Sequence, residues 1–340
     1  MTMLITTVVA DRAETMCARA AEALAQGSDM VELRLDSLLP GEEAHIGMFE
    51  KLAPGRWMAT CRPVSEGGMS RVPIEHRVPR LLSAVRMGAG LIDFEYAEWN
   101  RSPLARTDLA RGLSDLSVAD HAPGVILSHH DFQRRPENLE ALVHEMSSVP
   151  EVKGIKVAWM AENICCNFDA FEVMRRGSTH AAAICMGEAG LLSRVLAAKF
   201  GALASYCSFD ADSAAAPGQL TLAEMHDRYR WPSIDEATEL FGVIGCPVTH
   251  SVGPDVFNDA FARANMNAVY LPLLVGGRYE DFAAFMDACL SRDWLDARGF
   301  SVTLPHKVHA LRYLADRVDP PADLIGAVNT IRIEDGEVWG

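Results

Sequence analysis

The stretch GIKVAWM, residues 154–160, sets a lysine among Ile155, Val157 and Trp159, in a run that otherwise reads as a buried strand. A strand lysine commonly sits on an exposed edge or carries its charge to water on a long stem. The alternative is a lysine kept dry, so that it loses its proton and attacks a carbonyl carbon. Such a nucleophile must be neutral, which means bringing its pKa from about 10.4 toward 7 or 8, a change worth roughly 4 kcal/mol. Burial and nearby positive charge both push that way. Arg34, Arg62 and Arg194 are candidates for the charge and for gripping an anionic substrate through paired hydrogen bonds. A ketone joined to Lys156 as an iminium becomes an electron sink and acidifies the neighbouring C–H. His130, in the preceding apolar run, has the ordinary pKa suited to take that proton, although alone it also reads as a core histidine bonded to a carbonyl.

These side chains need a frame. Short apolar runs recur at 4–10, 30–36, 57–63, 90–96, 124–131, 154–160, 180–186 and 202–208. Between them lie stretches such as AETMCARAAEALAQG and PENLEALVHEMSSV, with apolar residues every three to four positions. Eight strands alternating with eight helical stretches, the last TLAEMHDRYR, predict a (β/α)8 TIM barrel over residues 1–228. Active sites of such barrels lie at the C-terminal ends of the strands. The unusual polar residues fall there: Glu32, Arg34 and Asp36 late in the second run, Arg62 ending the third, His130 and Asp131 ending the fifth, Lys156 in the sixth. The same set also reads as a salt-bridge network filling the barrel mouth.

After residue 228 the pattern changes. Residues 229–240, including the polar, proline-marked WPSIDEATEL, read as a linker. Residues 241–340 then form a smaller α/β unit with strands at FGVIGCP, AVYLPLLV, GFSVTLP and AVNTIRIEDGEVWG, the last turning at Asp335-Gly336. The formal charge of −15, from 31 Lys and Arg against 46 Asp and Glu, argues against a broad surface for nucleic acid or anionic membrane. Eight cysteines without CxxC spacing point to free thiols in a reducing compartment, the cytoplasm. The N-terminal apolar run is too short for a span and lacks a basic flank, so neither an export signal nor a transmembrane helix is expected.

The barrel segment resembles type I 3-dehydroquinate dehydratase. The motifs ELRLD (32–36), CRPVSEGG (61–68), LSHHDF (127–132), IKVAWM (155–160), MGEAGLLSR (186–194) and AAPGQ (215–219) stand in the family's order. The resemblance implies a Schiff-base lyase of the shikimate pathway, converting 3-dehydroquinate to 3-dehydroshikimate by syn loss of water without metal or cofactor. By the same resemblance Lys156 forms the imine, and His130 moves the C2 proton and assists hydroxyl departure. Glu32 orients this histidine or contacts substrate, Arg34 and Arg62 bind substrate, and Arg194 clamps its carboxylate. Glu66 and Gln219 belong to loops that close over the site. Ala215 stands where the family has serine, a hydrogen bond lost at about 0.5–1.5 kcal/mol.

Residues 241–340 resemble the substrate-binding half of shikimate dehydrogenase, through GVIGCPVTHSVGP (242–254), FSVTLPHK (300–307) and GAVNTI (326–331). The fused order is that of the bifunctional plant-type enzymes. It implies that Ser251, Thr303 and Asn329 contact substrate hydroxyls and carboxylate and that Lys307 is the catalytic lysine. Gly253 replaces a serine of the family's motif, which suggests altered substrate choice, such as quinate in place of shikimate. The full-length family reduces 3-dehydroshikimate with NADP, but no GxGxxG follows a strand in these residues, which stop where the family continues. The expectation is therefore dehydratase activity without NADP turnover, small-molecule acids as partners, and no reading of oligomeric state. A rival is a non-catalytic metabolite sensor built from the same domains, which Ala215 and Gly253 fit. Lys156, His130 and the arginines argue against it, because a sensor needs affinity and not an imine.

Overall fold

The computed structural model describes residues 1–116, 123–150, 152–176, 180–334 and 336–340. The eight apolar runs form parallel strands β1 (Met3–Val8), β2 (Met30–Arg34), β3 (Trp57–Thr60), β4 (Leu91–Glu95), β5 (Gly124–Asp131), β6 (Gly154–Met160), β7 (Ala181–Met186) and β8 (Ala204–Ser208). Their order is β7-β6-β5-β4-β3-β2-β1-β8. β7 and β8 meet where Leu203 N donates to Ala181 O at 2.8 Å, so the sheet curls into a nearly closed barrel.

Alternation along each strand decides what faces the axis. Leu4, Leu33, Trp57, Ile92, Phe94, Leu127, Ile155, Val157 and Trp159 point outward into the large core under the helices. The residues between them point inward. At the strand starts these are Ile5, Met30, Met58, Ile126, Ala182 and Ala204, an apolar plug in the lower barrel. Two positions on, the same inward rows carry Thr7, Glu32, Thr60, Asp93, Ser128, Lys156 and Tyr206, all buried. The lysine between Ile155 and Val157 thus faces the barrel interior, on neither an edge nor the outer surface.

Five strands build the second unit: β9 (Glu239–Gly245), β10 (Ala268–Leu274), β11 (Ala297–Val302), β12 (Thr330–Glu334) and β13 (Glu337–Trp339), in the order β10-β9-β11-β12-β13. β10, β9 and β11 run parallel, and β12 pairs antiparallel with β11 and β13. Of the expected Asp335-Gly336 turn, Asp335 lies outside the described residues. Two other elements differ from expectation. The eighth helical stretch is a single π-type turn, Glu224–Arg228. Glu224 folds back to accept from Thr221 N and Oγ1 at 2.8 and 3.0 Å, and Arg230 leaves the turn at φ +54, where a helix cannot continue. The linker composition conceals a packed segment, with Tyr229, Trp231 and Ile234 buried.

The two units are stitched by side chains. Lys199 Nζ donates to Glu236 O at 2.8 Å and to Asp296 at 2.7 Å. Trp294 stands edge-on to Phe171 and Phe200, and the Arg292 guanidinium lies 4.9 Å from the Phe168 ring centroid. Among the described residues no helix is long and apolar enough to cross a membrane.

Candidate active site

The C-terminal strand ends surround a pocket lined by Lys156. Lys156 is 6% exposed, and its Nζ lies 3.8 Å from Glu32 Oε1, 3.8 Å from Asp93 Oδ2 and 3.7 Å from the Tyr206 ring centroid. Burial pushes its pKa below the ordinary 10.5. Glu32 and Asp93 oppose that shift, while Arg62 and Arg34 add to it. The neutral amine that attack on a carbonyl requires is therefore brought closer.

Glu32 is held from both sides: Thr7 Oγ1 donates to one carboxylate oxygen at 2.8 Å and Thr60 Oγ1 to the other at 2.7 Å. Burial works to raise its pKa, but Lys156, Arg34, Arg62 and the Thr60 hydroxyl overcome that and hold it at about 2. Glu32 is a fixed anion beside the lysine. Of the two roles expected of Glu32, orienting His130 or contacting substrate, the structure leaves the second open, since the carboxylate beside His130 is that of Glu66. Glu66, in the turn Val64–Glu66 after β3, accepts from His130 N at 3.2 Å and lies 3.2 Å from His130 Nδ1. Burial drives the Glu66 carboxyl up to about 8, with Arg62 opposing and Glu95 and Asp93 reinforcing. Burial also drives His130 well below 6.5, helped by Arg62, Lys156 and Arg34. The pair is built so that the imidazole stays neutral, as a proton acceptor must.

The arginines divide into two kinds. Arg62 is consumed by the protein: its guanidinium reaches Asp93 at 2.5 Å, Glu95 at 3.0 Å and Ser128 Oγ at 2.6 Å, and burial's downward pull on its pKa is overcome by Asp93 and Glu95. Arg34 makes a two-point contact with Asp36 at 2.9 and 2.7 Å while still lining the pocket. Arg194 differs. It is 2% exposed, and among the described residues its Nη2 donates only to Pro217 O, at 3.3 Å, and its buried Nε has no partner. Burial pulls it down to about 10, as expected of a cation awaiting an anion. Gln219 closes the same rim, accepting from Ala215 N at 2.8 Å and donating toward Thr7 Oγ1 at 3.4 Å. Ala215 brings only a methyl group to the lining.

Lys156, His130, Glu32, Arg34, Arg62, Glu66, Arg194 and Gln219 therefore converge on one pocket. Sequence reasoning missed Asp93, Glu95, Thr60, Ser128 and Tyr206, although each occupies an inward position two residues from another inward residue on its strand. Asp131 faces away from the pocket and caps the following turn, accepting from Gln133 N and Arg134 N at 2.9 and 3.1 Å. Among the described residues no group of three or more His, Cys, Asp or Glu side chains is placed to hold a metal ion.

In the second unit the expected residues split between two clefts. Ser251 and Thr303 line one with His250, Tyr270 and Ser301. Lys307 and Asn329 line another with Asp319 and Thr330. Gly253 N donates to Ser251 Oγ at 3.1 Å, and a Cβ at Gly253 would lie 3.0 Å from Tyr270 Cε1. Tyr270, stacked on Phe257 with centroids 4.4 Å apart, thus crowds the space that a serine side chain would need.

Comparison with known proteins agrees with this geometry. The family model for type I 3-dehydroquinase matches residues 4–236, and that for the shikimate dehydrogenase substrate binding domain matches residues 243–331. The chain is 34% identical, over 98% of its length, to the bifunctional 3-dehydroquinate dehydratase/shikimate dehydrogenase, chloroplastic, of Arabidopsis thaliana. It spans about half that relative, 53%. It is 32% identical to the 3-dehydroquinate dehydratase of Desulfotalea psychrophila, over 61% of this chain and 88% of that one. The solved dehydroquinate dehydratase and shikimate dehydrogenase of S. pombe AroM shares the fold at TM-score 0.51 and 23% identity, covering 99% of this chain and 63% of that one. With residues 4–236 matched, the chain belongs to the type I 3-dehydroquinase family, and its barrel is followed by a shikimate dehydrogenase substrate-binding domain.

Proposed function

We propose that the barrel dehydrates 3-dehydroquinate to 3-dehydroshikimate through an imine on Lys156. The observation that carries the reading is a buried lysine sharing one pocket with a buried histidine and an arginine whose Nε has no partner among the described residues. The substrate carboxylate seats on Arg194, and Arg34 supplies a second positive edge. Neutral Lys156 adds to the ketone carbon. Loss of the carbonyl oxygen as water gives the iminium, whose positive charge replaces the ammonium between Glu32 and Asp93. His130 then removes the C2 proton, the electrons move into the iminium, and the enamine expels the C1 hydroxyl as water with the proton His130 carries. Hydrolysis of the conjugated imine consumes one water, releases the enone and restores Lys156, so the net change is loss of one water. Glu66 bonds to Nδ1 and leaves Nε2 as the working nitrogen.

In this reading residues 1–228 are the catalytic unit, 229–240 its joint and 241–340 a binding unit for a shikimate-like hydroxy acid in the Ser251–Thr303 cleft. This dehydration uses only side chains and water. The test is appearance of the conjugated enone by ultraviolet absorbance when purified chain meets 3-dehydroquinate. Turnover lost in Lys156→Met and in His130→Ala supports the proposal. Turnover that survives in Lys156→Met ends it.

A further inference from the structure

We propose that Asp36 is a positioning residue for the barrel pocket: one carboxylate that aims Arg34 at substrate and pins the neck of the loop carrying Glu66. The proposal rests on the dehydratase reading for its catalytic meaning. Asp36 lies in the single turn Leu35–Ser37 directly after β2, and its side chain is fully buried. It accepts four hydrogen bonds. Arg34 Nε and Nη2 donate to its two oxygens at 2.9 and 2.7 Å. From the other side Arg62 N donates at 3.1 Å and Met69 N at 3.0 Å.

Each pair of bonds has a consequence in the pocket. Spending Nε and Nη2 on Asp36 leaves Arg34 Nη1 as the guanidinium nitrogen without a protein partner among the described residues, on a side chain that lines the pocket. Arg62 and Met69 are the two ends of the loop after β3. Ser70 N donates to Arg62 O at 3.0 Å, Gly68 N to Pro63 O at 2.9 Å and Val64 N to Ser70 O at 3.1 Å, so the loop is a tight neck with Glu66 near its apex. A Cβ at Gly68 would collide with the Arg62 carbonyl, and one at Gly67 with the Phe132 ring. Asp36 therefore ties both ends of this loop to the end of β2. Through that tie it sets where Glu66 meets His130 and where Arg62 enters its ion network. A salt bridge to Arg34 alone would not require the two backbone bonds.

Asp36→Asn keeps the shape and removes the pattern. A carboxamide accepts at one oxygen and presents an NH2 where donors already point, so two of the four bonds become donor against donor. In the whole chain, Asp36→Asn is expected to speed hydrogen–deuterium exchange of the Arg62 and Met69 amides at least ten-fold, with protection elsewhere in the barrel unchanged. KM for 3-dehydroquinate is expected to rise ten-fold or more, and this rise to shrink below two-fold when the same change is made in Arg34→Met. Unchanged exchange at Arg62 and Met69, or exchange accelerated equally throughout the barrel, overturns the proposal. A KM effect that persists undiminished in Arg34→Met also overturns it. Should the parent chain turn over no dehydroquinate, the dehydratase reading fails, while the exchange measurement still decides whether Asp36 holds the loop.

Discussion

Replacing Arg194 with methionine is expected to weaken substrate and to leave the protein at least as stable, two effects of opposite sign from one side chain. Arg194 is 2% exposed and its Nε has no partner among the described residues, so the folded chain holds a cation without its anion there. The fall of its pKa from 12.5 to about 10 corresponds to roughly 3 kcal/mol against the charged form. Because the folded value is depressed, that penalty is fully present at every pH below about 10, neutral pH included. Methionine fills much of the stem's volume and removes the penalty. It gives up the single 3.3 Å bond to Pro217 O, worth about 1 kcal/mol, so the net change in unfolding free energy lies between zero and roughly 2 kcal/mol in the variant's favour. Binding moves the other way. Two charge-assisted hydrogen bonds to a carboxylate, at about 1.5–3 kcal/mol each, put the loss at about 3–6 kcal/mol. That is roughly 150- to 25,000-fold in kcat/KM, carried mainly by KM because the carboxylate is held alike in ground and transition states. Urea melts and initial rates of enone formation on the same preparation measure both. A variant destabilised by more than about 2 kcal/mol with KM within three-fold of the parent would make Arg194 a packing residue and refute the reasoning.

The Glu66–His130 pair predicts a basic optimum. His130 accepts a proton at Nε2 only when Nδ1–H donates to ionised Glu66, so kcat/KM rises as pH passes the Glu66 value near 8 and loses that limb in Glu66→Gln. Glu66 also links to stability. Its folded value lies above the ordinary 4.5, so its contribution is full below about 4.5 and is lost as pH rises through about 8; melts of Glu66→Gln should therefore overtake the parent above that pH. Lys199→Met removes the buried cation between Asp296 and Glu236 O and is expected to cost about 1–3 kcal/mol, Asp296 being partly exposed, and to split the cooperative melt into barrel and second-unit transitions by calorimetry. Gly253→Ser should displace Tyr270 and cost about 1 kcal/mol, with shikimate and quinate affinities for the Ser251–Thr303 cleft changing relative to one another in titration calorimetry.

How much of this was legible in the chain depended on whether the information was local. The eight strands were, because short apolar runs such as GIKVAWM recur between stretches with apolar residues every three to four positions. Lys156, His130 and the arginines stood out by type against apolar neighbours. Asp93 and Glu95 did not, since two acids flanking a phenylalanine look like any solvated strand end; only barrel closure turns both toward Arg62. That Glu66 stands beside His130, where Glu32 was offered for orienting it or for contacting substrate, was hidden for a similar reason. Glu32 lies on a strand and Glu66 on a short turn, and the conformation that brings Glu66 back to the imidazole, with Gly67 at φ +76 under Phe132, is not written in residue types. Residues 229–240 carry the polar and proline signals of a free linker, yet Trp231 and Ile234 are buried by long-range packing that composition does not record.

The central claim is a covalent bond to one nitrogen, so the most direct measurement is borohydride reduction in the presence of 3-dehydroquinate, followed by intact mass and peptide mapping. The account predicts a reduced adduct on the peptide bearing Lys156, absent without substrate and absent in Lys156→Met. Binding of 3-dehydroquinate in calorimetry with no adduct on any lysine would contradict it and leave the pocket as a receptor for the acid.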